Sequence, residues 1–354
     1  MNVYVLNGLS GITHIIETFE SMIWNMQFFG PSDFQLICPY TDDLNSILTY
    51  GKYLVREDDI LPDGEYHNVM RIEDRKINFD PDKGWTLTVS GGGLKKIIGQ
   101  RIIWNQTNFE QENVETAIRQ VITDNIIDPD DTDRAIADFV MDEAVGFTDV
   151  FDAQLFSENI AEWMESVCTM YGYGWDVYIK SGEYVFTLLE GTDRTITSQD
   201  PVIFSEDFEN IGSVEYEYNK SEYHNVGLVG GEGEGSSQVV TSVGSGSGLD
   251  RYEVYIDGSD VSSNGEIITM QTYISMLETY GQEQITDTQF VEKFQGEIIS
   301  NGLYNFGEDY YLGDQVQIIL QRISAKSRII EMIYSEDSNG RSLLPTFSDW
   351  EVTT

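Results

Sequence analysis

Three histidines, His14, His67 and His224, and two cysteines, Cys38 and Cys168, are the only candidates in this chain for binding a soft or borderline metal. None of the histidines stands in an HxxxH or HxH spacing, and two distant cysteines cannot supply the usual four ligands of a structural zinc site. The cysteines read as two buried free thiols. Carboxylates are left, and these favour weak binding of hard cations. Asp128-Pro129-Asp130-Asp131-Thr132-Asp133 is similar to a calcium loop, but Asp133 stands where the turn needs Gly and Phe139 where the last ligand should be Glu. A turn with exposed carboxylates is expected there. Gly91-Gly92-Gly93-Leu94-Lys95-Lys96 lacks the Gly-Lys-Ser/Thr ending of a phosphate loop, and Lys96 stands where a dinucleotide fingerprint needs Gly. No Gly-x-Ser-x-Gly elbow is present. Glu232 and Glu234 could be imagined as the acid and nucleophile of a glycosidase. That chemistry needs two carboxyls at a fixed separation, which glycine-flanked groups do not hold. No catalytic residue, cofactor or metal is therefore expected.

The charge excludes other functions. Twenty Lys and Arg against 61 Asp and Glu leave a formal net charge of −41 over 354 residues. A protein that grips nucleic acid neutralises phosphates with Lys and Arg, and there is no run of them. Residues 135–179 hold nine carboxylates and no Lys, Arg or His, and residues 252–292 again hold no basic residue. Apolar residues interleave these acids, as in Asp138-Phe139-Val140-Met141-Asp142-Glu143. That pattern is a folded acidic face rather than a solvated tail. It fits generic solubility or high-salt adaptation, and equally a wall that must not hold a polyanion. The N-terminus has no basic and apolar signal regions, and no apolar run reaches membrane-spanning length, so synthesis inside the cell is expected.

The elements that would position these groups fall into three stretches. Residues 1–94 look β-rich, with strands expected at Phe34–Cys38, Tyr53–Val55, Asn68–Ile72 and Trp85–Ser90. Turn signals at Pro62-Asp63-Gly64 and Pro81-Asp82-Lys83-Gly84 suggest a small barrel or sandwich. Residues 95–205 read as α+β. Val114, Ala117, Ile118, Val121 and Ile122 recur at helical spacing, with Thr107 or Asn113 as cap. A second apolar face runs from Ile160 to Tyr171, with Ser157 as N-cap and Gly172 as the stop. A hairpin follows over Trp175–Leu189. Residues 206–335 return to strands at Val214–Tyr218, Gln315–Leu320 and Ser327–Ile333. A helix around Ile274, Leu277, Gly281 and Ile285 is weakly indicated. Residues 227–248 hold eight glycines and read as a flexible loop or hairpin tip. Residues 336–354 read as a C-terminal tail. The fold class is thus α+β and β-rich, two β domains with an α+β domain between them.

Several segments taken in order resemble the tail hub proteins of tailed phages, a family that includes the N-terminal structural module of siphophage tail-associated proteins. They are Arg71–Ile77, Gly93-Leu94 with Arg101-Ile102-Ile103, Asn113–Ile118, and Asp128-Pro129-Asp130 with Arg134. Then come Asn225–Gly235, which contains Gly230, Gly231, Glu232, Gly233, Glu234 and Gly235, and Asp309-Tyr310-Tyr311-Leu312-Gly313-Asp314-Gln315-Val316. The resemblance spans residues 70–345. A Ser/Gly-rich insert at 236–248 departs from it, and Arg251 stands in for the Arg that follows the Gly-Glu-Gly run.

The resemblance implies a homotrimer. Each subunit contributes two tail-tube-like β-barrel domains, 1–94 and 206–335, so that the ring is pseudo-sixfold and caps a sixfold tail tube. The implied partners are further copies of the chain, tail tube and distal tail proteins, the tape-measure protein, and tail fibre or tip proteins. DNA passes through the channel without specific binding. The implied location is the virion tail tip, assembled in the host cytoplasm. The 230–235 loop is expected at an assembly interface. The chain ends at residue 354, where longer relatives carry lytic or fibre-like extensions, so cell-wall cleavage is not expected. A tail-tip enzyme and a receptor-binding protein acting on cell-surface glycans are the alternatives.

Overall fold

The computed structural model describes residues 1–9, 11–82, 84–263, 268–286, 288, 291–299, 303–320 and 323–352. The first stretch is seven strands and a short helix: β1 (Val3–Leu6), β2 (Ile12–Ile16), β3 (Ser21–Gln27), β4 (Asp33–Pro39), α1 (Asp42–Ile47), β5 (Tyr53–Arg56), β6 (Met70–Asp80) and β7 (Gly84–Gly93). Alternation sets their faces. On β3, Met22, Trp24 and Met26 point inward, and on β4 Phe34, Leu36 and Cys38 do.

The middle stretch holds α2 (Lys95–Ile98), β8 (Thr107–Asn113), α3 (Val114–Ile122), β9 (Phe139–Met141), β10 (Val150–Leu155), α4 (Ile160–Tyr171), β11 (Gly174–Lys180) and β12 (Glu183–Leu189). Asn113 caps α3, its side-chain oxygen accepting from Thr116 N at 3.0 Å, while Thr107 opens β8 instead. The cap of α4 is Asn159, not the expected Ser157, which sits two residues earlier at φ 71°. Gly172 ends α4 in the left-handed region at φ 73°, where a Cβ would be strained. The hairpin β11–β12 pairs Gly174–Lys180 with Glu183–Leu189, as its alternation predicts.

The last stretch is β13 (Asp193–Arg194), β14 (Ile203–Ser205), β15 (Ile211–Asn219), β16 (Val226–Gly230), β17 (Val240–Gly244), β18 (Glu253–Asp257), α5 (Met270–Thr286), β19 (Val291–Ile298), β20 (Gln315–Leu320), β21 (Ile323–Asp337) and β22 (Gly340–Val352). The expected C-terminal tail is therefore mostly strand, since β22 pairs with β21 from Gly340 to Val352. The glycine-rich stretch is the β16–β17 hairpin, backed by α5, with Val229, Ile256, Tyr273 and Leu277 forming a small core of their own.

The two barrels expected from the resemblance are not closed. Fourteen strands form one sheet whose main path runs β15-β19-β22-β21-β3-β4-β7-β6-β5-β1-β2, with β13, β14 and β20 branching from β21. The reason lies at β3. To close the first barrel it would have to pair with β2, but that edge is taken by β21, from Ser21↔Asp337 to Gln27↔Glu331. Strands β13 and β14, expected in the middle domain, join the sheet by parallel pairing to β20. One core follows the sheet through both halves, from Val3 and Trp24 to Phe204, Val316 and Phe347. A second core gathers α3, α4 and the β11–β12 hairpin around Trp175 and Phe186. Each fully buried large apolar side chain contributes about 1.5–3 kcal/mol.

Candidate assembly surfaces and structural joints

The segment Asp309–Asp314 lies between β19 and β20, just before the chain enters β20. Tyr310 is fully buried, its ring edge-on to Phe204 at 5.4 Å, and Leu312 packs on the same core. Asp309 turns back to accept from Asn305 N at 2.7 Å. Asp314, 2% exposed, accepts from Thr192 N at 2.8 Å, Arg194 Nε at 2.7 Å and Tyr311 N at 3.0 Å. Gly313, at φ 88°, leaves room for Phe28, while its carbonyl accepts from Arg328 Nη1 at 2.8 Å. Arg328 in turn lies over the Phe28 ring at 5.6 Å. The motif is a buried joint that ties β3, β13 and β21 together.

The run Gly230–Gly235 caps the small core instead of waving free. Gly231 packs directly on Tyr273 and Leu277, where a side chain would collide. Gly230 is buried, and Gly233 and Gly235 turn the chain at φ 95° and 58°. Glu232 accepts from Ser262 Oγ at 2.7 Å, Ser263 N at 2.8 Å and Ser263 Oγ at 2.7 Å. Those bonds, Ser263 first, hold its carboxyl below the usual range. A carboxylate so stabilised is a poor general acid. Glu234 is exposed. The two glutamates therefore hold different posts, one an anchor and the other in solvent.

The remaining sequence candidates also resolve into structure. Lys95 turns away from any phosphate site. Its Nζ donates to the carbonyls of Gln27 at 2.6 Å, Phe28 at 3.1 Å and Gly30 at 3.2 Å, and it lies over Trp175 at 5.0 Å. Asp128–Asp133 is a turn with mostly exposed carboxylates, and Arg134 covers the Trp104 ring at 5.0 Å. Among the described residues no group of His, Cys, Asp or Glu is placed to hold a metal ion. Among them, too, no helix is long and apolar enough to cross a membrane.

The polar joints that sequence reasoning missed are carboxylates in contact with backbone. Glu115, 3% exposed, accepts from Val145 N at 2.7 Å, Gly146 N at 2.7 Å and Phe147 N at 2.9 Å, and so pins a loop. Asp152 accepts from Gln111 N at 2.7 Å and from Ser275 Oγ, linking the middle stretch to α5. Their only sequence signal was acidity inside apolar patterns. The two stretches without basic residues meet at a cavity of about 280 Å3 between α4 and α5, lined by Glu158, Glu162 and Glu283. Burial, then the nearby Asp260 charge, raises the Glu158 carboxyl.

Residues 2–348 match the family described as Siphovirus ReqiPepy6 Gp37-like protein. The chain belongs to that family. Solved structures agree on the fold. A tail protein from Neisseria meningitidis MC58 aligns with a TM-score of 0.60 at 13% identity, over 99% of this chain and 96% of its own. The 43 kDa tail protein of prophage MuSo2 from Shewanella oneidensis aligns at 0.57 and 13%, over 98% of each chain. Prophage tail protein gp18 from Listeria monocytogenes EGD-e aligns at 0.55 and 9%, over 99% and 94%. No curated protein matches the chain. The resemblance carried by the ordered motifs thus leads to the right family.

Proposed function

We propose that this member of the siphovirus family is a tail protein and a tail hub, a homotrimer that caps the distal end of the tail tube and surrounds the DNA channel. The observation that supports it is the two-part sheet. Seven of its fourteen strands come from residues 3–93 and seven from residues 193–352, joined at the β3–β21 pair. Each half carries one long hairpin, β6–β7 and β21–β22. Three copies of a two-part sheet present six similar parts, which matches a threefold ring to a sixfold tube. The middle stretch and the β16–β18 unit with α5 then sit outside the tube-like parts, and the 230–235 run faces a neighbouring subunit. The partners on this reading are tail tube and distal tail proteins, the tape-measure protein, and fibre or tip proteins. The place is the tail tip of the virion, assembled in the host cytoplasm. The chain does no chemistry there.

The test is the shape of the assembled protein. Electron microscopy of tails, with light scattering on the purified chain, should give three copies in a ring with a central hole. A strict monomer at high concentration, with no ring in assembled tails, refutes the reading.

A further inference from the structure

The cavity between α4 and α5 carries one sign of charge. Glu158 precedes α4, Glu162 lies in its first turn and Glu283 lies on α5, and all three line the same space of about 280 Å3. Among the described residues no Lys, Arg or His lines it, and the flanking stretches 135–179 and 252–292 hold none in their sequence. The negative field is felt by the neighbouring Tyr280. Burial first, and then the charges of Asp260, Asp257, Glu283 and Glu158, raise its phenol. Folding has brought like charges together, and a cation placed in the space would recover the cost.

A second feature of the cavity is independent of charge. Trp163 lines it at 4% exposure, and its Nε1 donates to no acceptor among the described residues. An indole N–H is a donor only, and a buried donor without an acceptor is costly. It calls for an oxygen. Ala153, Leu155 and Met276, all buried, add an apolar wall. A bare metal ion does not match this combination, and among the described residues no group of His, Cys, Asp or Glu is placed to hold one. A free alkylamine brings charge and methylenes but no acceptor oxygen. A lysine or arginine within a polypeptide brings all three: a cationic head for the carboxylates, a methylene stem for the apolar wall, and a main-chain carbonyl for the indole.

We propose that this cavity is the socket for one Lys or Arg residue of a partner protein. The cationic head lies among Glu158, Glu162 and Glu283, and the main-chain carbonyl accepts from Trp163 Nε1. Because α4 belongs to the core of the middle stretch and α5 to the small core of the β16–β18 unit, the bound residue also bridges those two parts. The socket lies within one chain and stands whether or not that chain is a hub.

The test uses the full-length chain with Nα-acetyl-lysine methylamide as the probe. Binding is followed by calorimetry and by the indole N–H resonance that Trp163→Phe removes. The probe should bind and move that resonance. Butylamine, which lacks the carbonyl, and Nα-acetyl-norleucine methylamide, which lacks the charge, should each bind at least about tenfold more weakly. Glu162→Gln with Glu283→Gln should weaken the probe by at least about tenfold. Its thermal unfolding should not fall, because the change relieves repulsion. Trp163→Phe should bring the probe down to the level of butylamine and leave butylamine itself unchanged. Absence of saturable binding, equal binding of butylamine and the lysine probe, or unchanged binding in the double glutamine variant each overturns the proposal.

Discussion

Asp314 shows what a single carboxylate does in this protein. It sits almost wholly buried with three donors around it, one of them the Arg194 guanidinium. Removing one partner of a buried pair leaves the other charge uncompensated, at a cost of about 3–5 kcal/mol. Asp314→Asn should therefore lower unfolding stability by that amount in urea titration, and Arg194→Met should cost a similar amount. If either variant is as stable as the parent, the joint does not hold the sheet. Lys95 supports a second prediction. Burial pushes its ammonium down to about 8, with the Asp176 charge opposing the shift. An unfolded lysine keeps its proton to about pH 10.4. Between those values the unfolded state binds more protons, so the Lys95 contribution makes stability rise with pH. The window ends before the tyrosines enter, because unfolded phenols lose their protons only near pH 10, and burial raises the folded Tyr171 phenol further, to about 12. From pH 7.5 to 9.5 the parent should gain stability relative to Lys95→Met. Parallel curves for the two proteins would refute this.

At the scale of elements, the glycines separate turns from close approaches. Gly313 and Gly340 both have positive φ, 88° and 127°. Around Gly340, in the β21–β22 turn, a Cβ meets nothing, whereas at Gly313 it runs into the Phe28 ring. Gly340→Ala should cost about 1 kcal/mol of backbone strain. Gly313→Ala adds a steric collision within the β3–β13–β21 joint and should cost more than about 3 kcal/mol or leave the protein insoluble. Equal losses in the two variants, measured by chemical unfolding, would show that Phe28 yields. Element types were legible in the sequence where the pattern was long and amphipathic. The helix at Val114–Ile122 and the Trp175–Leu189 hairpin come straight from periodicity and turn chemistry. The strands Val3–Leu6 and Ser21–Gln27 gave no such signal, because neither is bounded by Gly or Pro turn residues at both ends.

At the scale of the whole molecule the net charge of −41 is the dominant fact. On the hub reading, three copies carry −123 by formal count, from 3 × −41. Salt screens exposed charges beyond about 8–10 Å, but in a narrow bore DNA phosphates lie within that distance. The assembled channel should therefore have a negative inner wall. Replacing lumen acids with Lys should slow or block genome ejection while the tail still assembles, measured as DNA release from purified virions. A neutral or basic wall, with the acids confined to the outside, would point to adaptation to a salty environment instead.

The residues by themselves determined the class and the family. Apolar spacing carries a strand-rich α+β class, and the ordered motifs carry the tail-protein resemblance. These are one-dimensional properties, set by residue type and spacing. Tertiary structure decided how the strands share their edges. Nothing in the local pattern of Ser21–Gln27 says that its free edge belongs to β21, some 300 residues on, rather than to β2. That one pairing turns two expected barrels into a single fourteen-stranded sheet. Only the folded chain shows that Glu232 is an anchor and that Asp314 is a joint. A carboxylate's role depends on which donors surround it, and those donors arrive from distant segments: Ser262 and Ser263 for one, Thr192 and Arg194 for the other.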